Sequence, residues 1–465
     1  MTISSPEVKQ LTDLELMAHL YRRAGFGATR DQLEAAVSKG YEATVEELLH
    51  PENQPDLELD LVNRYYVDFK ESRNIDVAQA NWVYRMINTQ RPLEEKMTLF
   101  WHSLFATGFA KTNHAPGMLG QIATFRKHCL GDFRTLLVEI SKEPQMIVWL
   151  DNQMNTNDVH NENFGRELLE LFSLGIGNYT EDDVKASARA FTGWTLKNTI
   201  PGAQPYGRHP WEFEFRPDLH DYGEKEFLGE RGTFDGTDII DIIVGQPAAA
   251  HFVAYRLLKF FAADIPDEAE VEKLARVYVD SHYQIPAMMR WLLLSDYFRS
   301  SKAYYAKVKS PAEHVVGLER LVEDFQYPKW GIREISLECR YMGQDLLNPP
   351  SVEGWHTGKE WIDTGILVER INFAAGLVGD TTQPGVQKII GRLRAMGELS
   401  PEQFVDAALD LIGPMDVSDS TREGLLTLAR KGGNLSFAGD DDSAAEQRVA
   451  ELLQLIVATR EFQLV

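Results

Sequence analysis

His160–Thr195 reads HNENFGRELLELFSLGIGNYTEDDVKASARAFTGWT, and two amphipathic helices back to back are the simplest way to fold it. At about 100° per residue, Asn163, Arg166, Glu167 and Glu170 share one arc of the first helix. Phe164, Leu168, Leu171 and Phe172 take the other side, which makes that side the buried one. Leu174-Gly175 supplies the stop, and Thr180 with Asp183 has the spacing of a capping box that starts the next helix. Arg166 and Glu170 lie four apart and can pair, as can Asn163 and Glu167. Such an arc is either a solvated face with an internal ion pair or the polar floor of a site, where Arg166 holds one carboxylate ionised and leaves another free for acid–base work.

The same helical grammar runs outward in both directions. "TDLELMAHLYRRAGFGATRDQLEAAVSKG" holds two further capping boxes, Thr12 with Glu15 and Thr29 with Gln32, with Gly25, Gly27 and Gly40 where helices would stop. Apolar spacing predicts helices near 76–90, 93–107, 117–129, 133–142, 163–173, 181–193, 237–244, 247–262, 267–280, 285–294 and 311–323, then 384–396, 401–412 and 443–461. In "QPAAAHFVAYRLLKFFA", Pro247 suits the first turn, and Arg256 can carry its charged head to the edge of an apolar stripe while its stem packs. "TIPGAQPYGRHPWEFEFRPDLHDYGEKEFLGERGTFDG" breaks the pattern with Pro, Gly and an alternating "WEFEF". The fold class expected is all-α, a large orthogonal array of helices with a loop-rich excursion over about 196–236 and a small β-hairpin near 205–230. Residues 1–375 form the main domain in this reading, and 376–465 a C-terminal helical segment packed on it. "GNLSFAGDDDSAAEQ" reads as a mobile acidic loop.

Bulk composition removes several function classes. Forty-seven basic residues face seventy acidic ones, a formal charge of -23, so the chain repels phosphate backbones and nucleic acid is not an expected partner. No apolar run is long enough to cross a bilayer. "MTISSPEVKQLTDLELM" lacks a secretory signal, so the chain on its own reads as cytoplasmic. Cys129 and Cys339 stand in no metal-like cluster and read as buried thiols. Phosphate-cradling loops, GxGxxG, GxSxG, HExxH and paired ExxH are absent from the sequence, so no cofactor is implied and no metal ligand is assigned.

Four further places carry chemistry-bearing residues. "EEKMTLFWHSLFATG" is apolar nearly all round, which buries His102 with it, and a buried histidine either satisfies a neighbouring polar group or serves a site. "HDYGEKEFLG" places His220 beside Asp221 in a loop, where a turn role competes with a catalytic one. "LLNPPSVEGWHTGKEWI" sets Trp355 and Trp361 on a proline-stiffened backbone, either as loop packing or as a ligand wall, and Trp194 closes the opening stretch.

These motifs together resemble the bacterial family called domain of unknown function 1800: "LYRRAGFGAT", "NENFGRELLELFSLGIGNYTEDDV…ARAFTGW", "HDYGEKEFLG", "KSPAEHVVG", "NPPSVEGW" and "ATREFQL" span nearly the whole chain. The resemblance implies no established activity. It implies a partner, because members are often encoded beside a sulfatase-like family, domain of unknown function 1501, whose proteins commonly bear twin-arginine export signals; export of a folded pair would follow. The family's first motif often has a second histidine two residues after the one matching His102, where this chain has Leu104.

Two readings of function stand side by side. One is an enzyme with a polar Asn/Arg/Glu/His pocket between helices: Glu167 or Glu170 as base, Arg166 as anion clamp, His102 or His220 with Asp221 moving protons, and Asn163, Trp194 and Trp355 holding substrate. The other is a helical partner or assembly scaffold for the sulfatase-like protein, its motifs being buried polar networks that fix helix junctions.

Overall fold

The computed structural model describes residues 11–69, 74–197, 211–437 and 442–465. Among these, 23 α-helices account for most of the chain, and the only β-structure is two two-stranded antiparallel sheets. The all-α expectation with a small hairpin is therefore met. The hairpin pairs Lys225–Phe227 with Glu230–Gly232. "WEFEF" does form a strand, Phe213–Phe215, but its partner is Trp194–Leu196, which the sequence did not single out. Residues 205–210 of the expected hairpin region, the first ten residues and part of the acidic loop lie outside the described residues.

Capping chemistry places the ends as the side chains dictate. Thr12, Thr29 and Thr180 each close a full capping box, at the helices Asp13–Arg23, Arg30–Lys39 and Glu181–Ala190. The opening pair forms too: Asn163–Glu170 packs on Glu181–Ala190 through Phe164 and Phe191, ring centres 4.8 Å apart. A Cβ on Gly165 would stand 3.0 Å from the Ala188 nitrogen, so only glycine lets the two backbones come this close.

Two large apolar cores result, with a third small cluster of Val308, Trp355 and Trp361. The larger runs from Met17 to Leu347 around Trp82, Trp101, Phe105, Phe133 and Phe172. The smaller gathers residues between Leu318 and Phe462. Helix Pro311–Val322 joins them, giving Val315 and Val316 to the first and Leu318 and Val322 to the second. Helices Ile332–Tyr341, Thr364–Gly379 and Asp419–Lys431 are not among those expected from spacing. No helix among the described residues is long and apolar enough to cross a membrane.

Candidate functional site: a tryptophan-walled cleft with unpaired cations

Arg166 does not pair with Glu170. Its guanidinium reaches back to Glu162 (3.2 Å) and across to Glu181, both of whose oxygens lie at 2.8 Å, on a face where the Arg166 side chain is 34% exposed. The carboxylate one turn earlier and the one on the next helix outcompete Glu170, which instead accepts from the Tyr179 hydroxyl at 2.8 Å. Asn163 donates to the Leu150 carbonyl at 3.2 Å and so ties the helix start to the preceding segment. Glu167 is half-buried, and its carboxylate has no hydrogen-bond or ion-pair partner among the described residues. Burial first, and then the charges of Glu170 and Glu353, raise its carboxyl above the usual range, against the pull of Arg166.

His102 is fully buried, and burial pushes its imidazole down to about 3, so it is neutral. The Leu347 N–H donates to its Nε2 at 3.2 Å, which leaves the proton on Nδ1. The rings of Trp82 and Trp355 stand edge-on to it, 5.5 and 5.2 Å away. Leu347 sits at φ +60°, a left-handed backbone rarely adopted outside glycine, so His102 holds a strained segment in place. The same loop passes so near helix Pro92–Leu104 that a Cβ on Gly354 would lie 2.7 Å from the Ser103 carbonyl oxygen. His102 and Gly354 thus set where Trp355 goes.

His220 and Asp221 form a separate cluster. His220 Nδ1 lies 2.9 Å from the Thr192 carbonyl oxygen, and Arg189 clamps Asp221 through Nε at 2.6 Å. That bond, aided by the Gly223 N–H, draws the Asp221 carboxyl down to about 2. No hydrogen bond, ion pair or ring contact among the described residues links either residue to His102, Glu167 or Trp355. Trp194 is buried between Phe191 and Phe213, with ring centres 5.0 and 5.3 Å away.

The site residues predicted from sequence do not gather at one place, and among them only Trp355 lines a cleft with unpaired cations. Trp355, with Glu353 whose charge acts on Glu167, lines this cleft between helix Pro92–Leu104, helix Pro247–Phe261 and the proline-stiffened loop. Trp361 forms a second aromatic wall, and the indole N–H groups of both tryptophans are buried without a partner among the described residues. Arg256 and Lys259, one helical turn apart, line the same cleft. Arg256 lies 5.0 Å over the Phe252 ring, and neither cation has an acidic partner or a hydrogen-bond acceptor among the described residues. Burial first, and then the Arg256 charge, holds the Lys259 amine below its ordinary value, partly offset by Asp264.

Behind the cleft lies a buried ion triad that spacing does not reveal. Lys307, on the cleft wall, donates to Glu313 at 2.8 Å, and Lys96 donates to the other oxygen. Glu313 also caps its own helix by accepting from the Ser310 N–H at 2.6 Å. The two lysines hold its carboxyl far below the usual range against the opposing effect of burial. The signal available in sequence was "KSPAEHVVG", whose Ser310, Pro311 and Glu313 spell a helix start. That Lys96, 217 positions away, shares this carboxylate is a tertiary fact. Elsewhere, His251, Glu268 and Glu272 bring ligand atoms within 4.8 Å of one another on the surface, the one group of metal-ligand type found among the described residues.

A family model described as a protein of unknown function, DUF1800, matches residues 19–464. The chain belongs to this family. No curated protein matches it, and no solved structure does. The stretch "NPPSVEGW" gives the cleft Glu353 and Trp355, and "KSPAEHVVG" gives the triad behind it Glu313.

Proposed function

We propose that this DUF1800 protein binds a small organic anion with an aromatic or apolar body in the cleft of Arg256, Lys259, Trp355 and Trp361. One observation carries the reading. In a chain where acidic residues outnumber basic ones by seventy to forty-seven, two adjacent half-buried cations form no ion pair among the described residues, although Asp264 and Glu353 line the same cleft. Like charges that close repel and are poorly solvated, and an oxyanion seated between them removes both costs at once. The tryptophan rings supply rigid apolar area beside the ligand's body.

The enzyme reading moves with the ligand. Glu353 and the unpartnered Glu167 put carboxylates on that side of the molecule, whereas Arg166, His220 and Asp221 are engaged elsewhere. Titration calorimetry with 3-phenylpropionate and its neutral amide tests the binding: the acid binds, the amide does not, and Arg256→Gln weakens the acid by about 10- to 100-fold, the worth of one charge-assisted contact. Equal affinity for acid and amide refutes the reading.

The scaffold reading draws on a different surface. Trp330 is 87% exposed with Tyr65 beside it, ring centres 6.3 Å apart, and Tyr327 is exposed close by in the chain. Exposed aromatic area of this kind suits a protein partner. Co-elution with a sulfatase-like DUF1501 protein, lost on Trp330→Ser, tests it; co-elution unchanged by the substitution removes the patch from the account.

A further inference from the structure

We infer that Lys259 is a nucleophilic amine that forms an imine with a 2-oxo acid, whose carboxylate is gripped by Arg256; this rests on the anion-binding reading of the cleft. The other shielded lysines are all held by acceptors. Lys96 donates to the Gly25 carbonyl at 2.8 Å and to Glu313, Lys225 to the Asp221 carbonyl at 2.6 Å, and Lys309 to the Phe462 carbonyl at 2.7 Å. Each ammonium is thereby committed to structure. Lys259 alone among the described lysines with a depressed amine has no acceptor. An amine that is partly desolvated, set beside another cation and left unbound gives up its proton more readily than an ordinary lysine, and its unbound Nζ can turn toward a carbonyl held in the cleft.

The cleft supplies the rest. Arg256, one turn before Lys259, presents a planar fork that matches a carboxylate, so a ligand gripped there places its adjacent carbonyl carbon toward the amine. Trp355 and Trp361 wall the ligand's body. Asp264 lines the same cleft and acts electrostatically on Lys259; one of its oxygens takes the Val308 N–H at 3.0 Å, and the other has no hydrogen bond among the described residues and is free to pass protons. The step balances without any oxidant or reductant. The Lys259 Nζ lone pair attacks the carbonyl carbon, the carbonyl oxygen gains a proton and the nitrogen loses one, giving a carbinolamine. That hydroxyl takes up a proton and leaves as water as the nitrogen lone pair forms the C=N bond, and the resulting iminium gives its N–H proton back to solvent, so amine plus carbonyl gives imine plus one water.

The test is reductive trapping on the intact protein. Phenylpyruvate and sodium cyanoborohydride are added, and the adduct is located by peptide mass mapping. The expected result is one modified lysine, Lys259, with labelling reduced at least tenfold by excess 3-phenylpropionate and absent in Lys259→Arg, which keeps the charge but cannot form the imine. Labelling spread over exposed lysines such as Lys185, or labelling of Lys259 indifferent to competition, overturns the inference. No adduct while calorimetry still shows 3-phenylpropionate bound overturns the imine and leaves the anion reading standing. Failure of 3-phenylpropionate to bind removes that reading as well. Should Lys259→Arg not fold, the competition arm on the unaltered chain decides alone.

Discussion

Replacing Glu319 with glutamine should leave the protein's stability nearly unchanged in acid and raise it progressively in alkali. Glu319 is fully buried on helix Pro311–Val322, and neither carboxyl oxygen has a hydrogen-bond partner among the described residues. Burial first, and then the charge of Asp324, push its carboxyl from 4.5 up to about 8, against Lys329. The folded state therefore holds a proton that the unfolded chain releases at lower pH. A group raised in this way costs stability once pH exceeds its unfolded value, and the cost grows until pH passes the folded value. With one pKa unit worth about 1.36 kcal/mol, the difference between variant and parent should widen by about 4 kcal/mol between pH 5 and pH 9. Glutamine imitates the protonated acid but cannot ionise, so it escapes this term; any fixed cost of its amide is common to both pH values and cancels. Urea unfolding of both proteins at the two pH values measures the widening. Parallel stability profiles would refute the reasoning, because they would mean Glu319 is ionised or solvated in the native protein.

Three further substitutions probe other links. Glu313→Gln strips the shared charge from Lys96 and Lys307, both buried, and should destabilise by roughly 3–5 kcal/mol in urea unfolding, the typical cost of leaving a buried charge unpaired. Arg166→Gln should cost no more than about 1 kcal/mol, because its ion pairs are part-exposed and screened; a larger loss would show that the 163–170 face is more structural than its exposure indicates. Gly354→Ala should weaken 3-phenylpropionate binding and also lower stability, since at φ +89° the added methyl is strained and meets the Ser103 backbone carbonyl, shifting Trp355 from the cleft wall; unchanged affinity in the folded variant would detach that tryptophan from ligand contact.

How much of this was legible in the sequence depends on the range of the interaction. Capping boxes at Thr12, Thr29 and Thr180, the proline start at Pro247 and the apolar stripes are set within one or two turns, and the helices they announce are present. Helix Thr364–Gly379 escaped because its polar residues, such as Glu369 and Arg370, interrupt the stripe, and Arg370 is buried only through tertiary bonds to Gln463 and the Lys309 carbonyl. The Arg166–Glu170 pairing failed because i,i+4 proximity works in both directions and a neighbouring helix supplies Glu181. At the site, the two tryptophans and the outward reach of Arg256 were readable. The lack of partners for Arg256 and Lys259 was not, since an unpaired charge is defined by everything that does not come near it.

The most direct measurement is a crystal structure of the protein grown with 3-phenylpropionate. The carboxylate is predicted to lie within hydrogen-bond distance of both the Arg256 guanidinium and the Lys259 amine, with its ring against Trp355 or Trp361. A ligand bound elsewhere while this cleft stays empty would contradict the account.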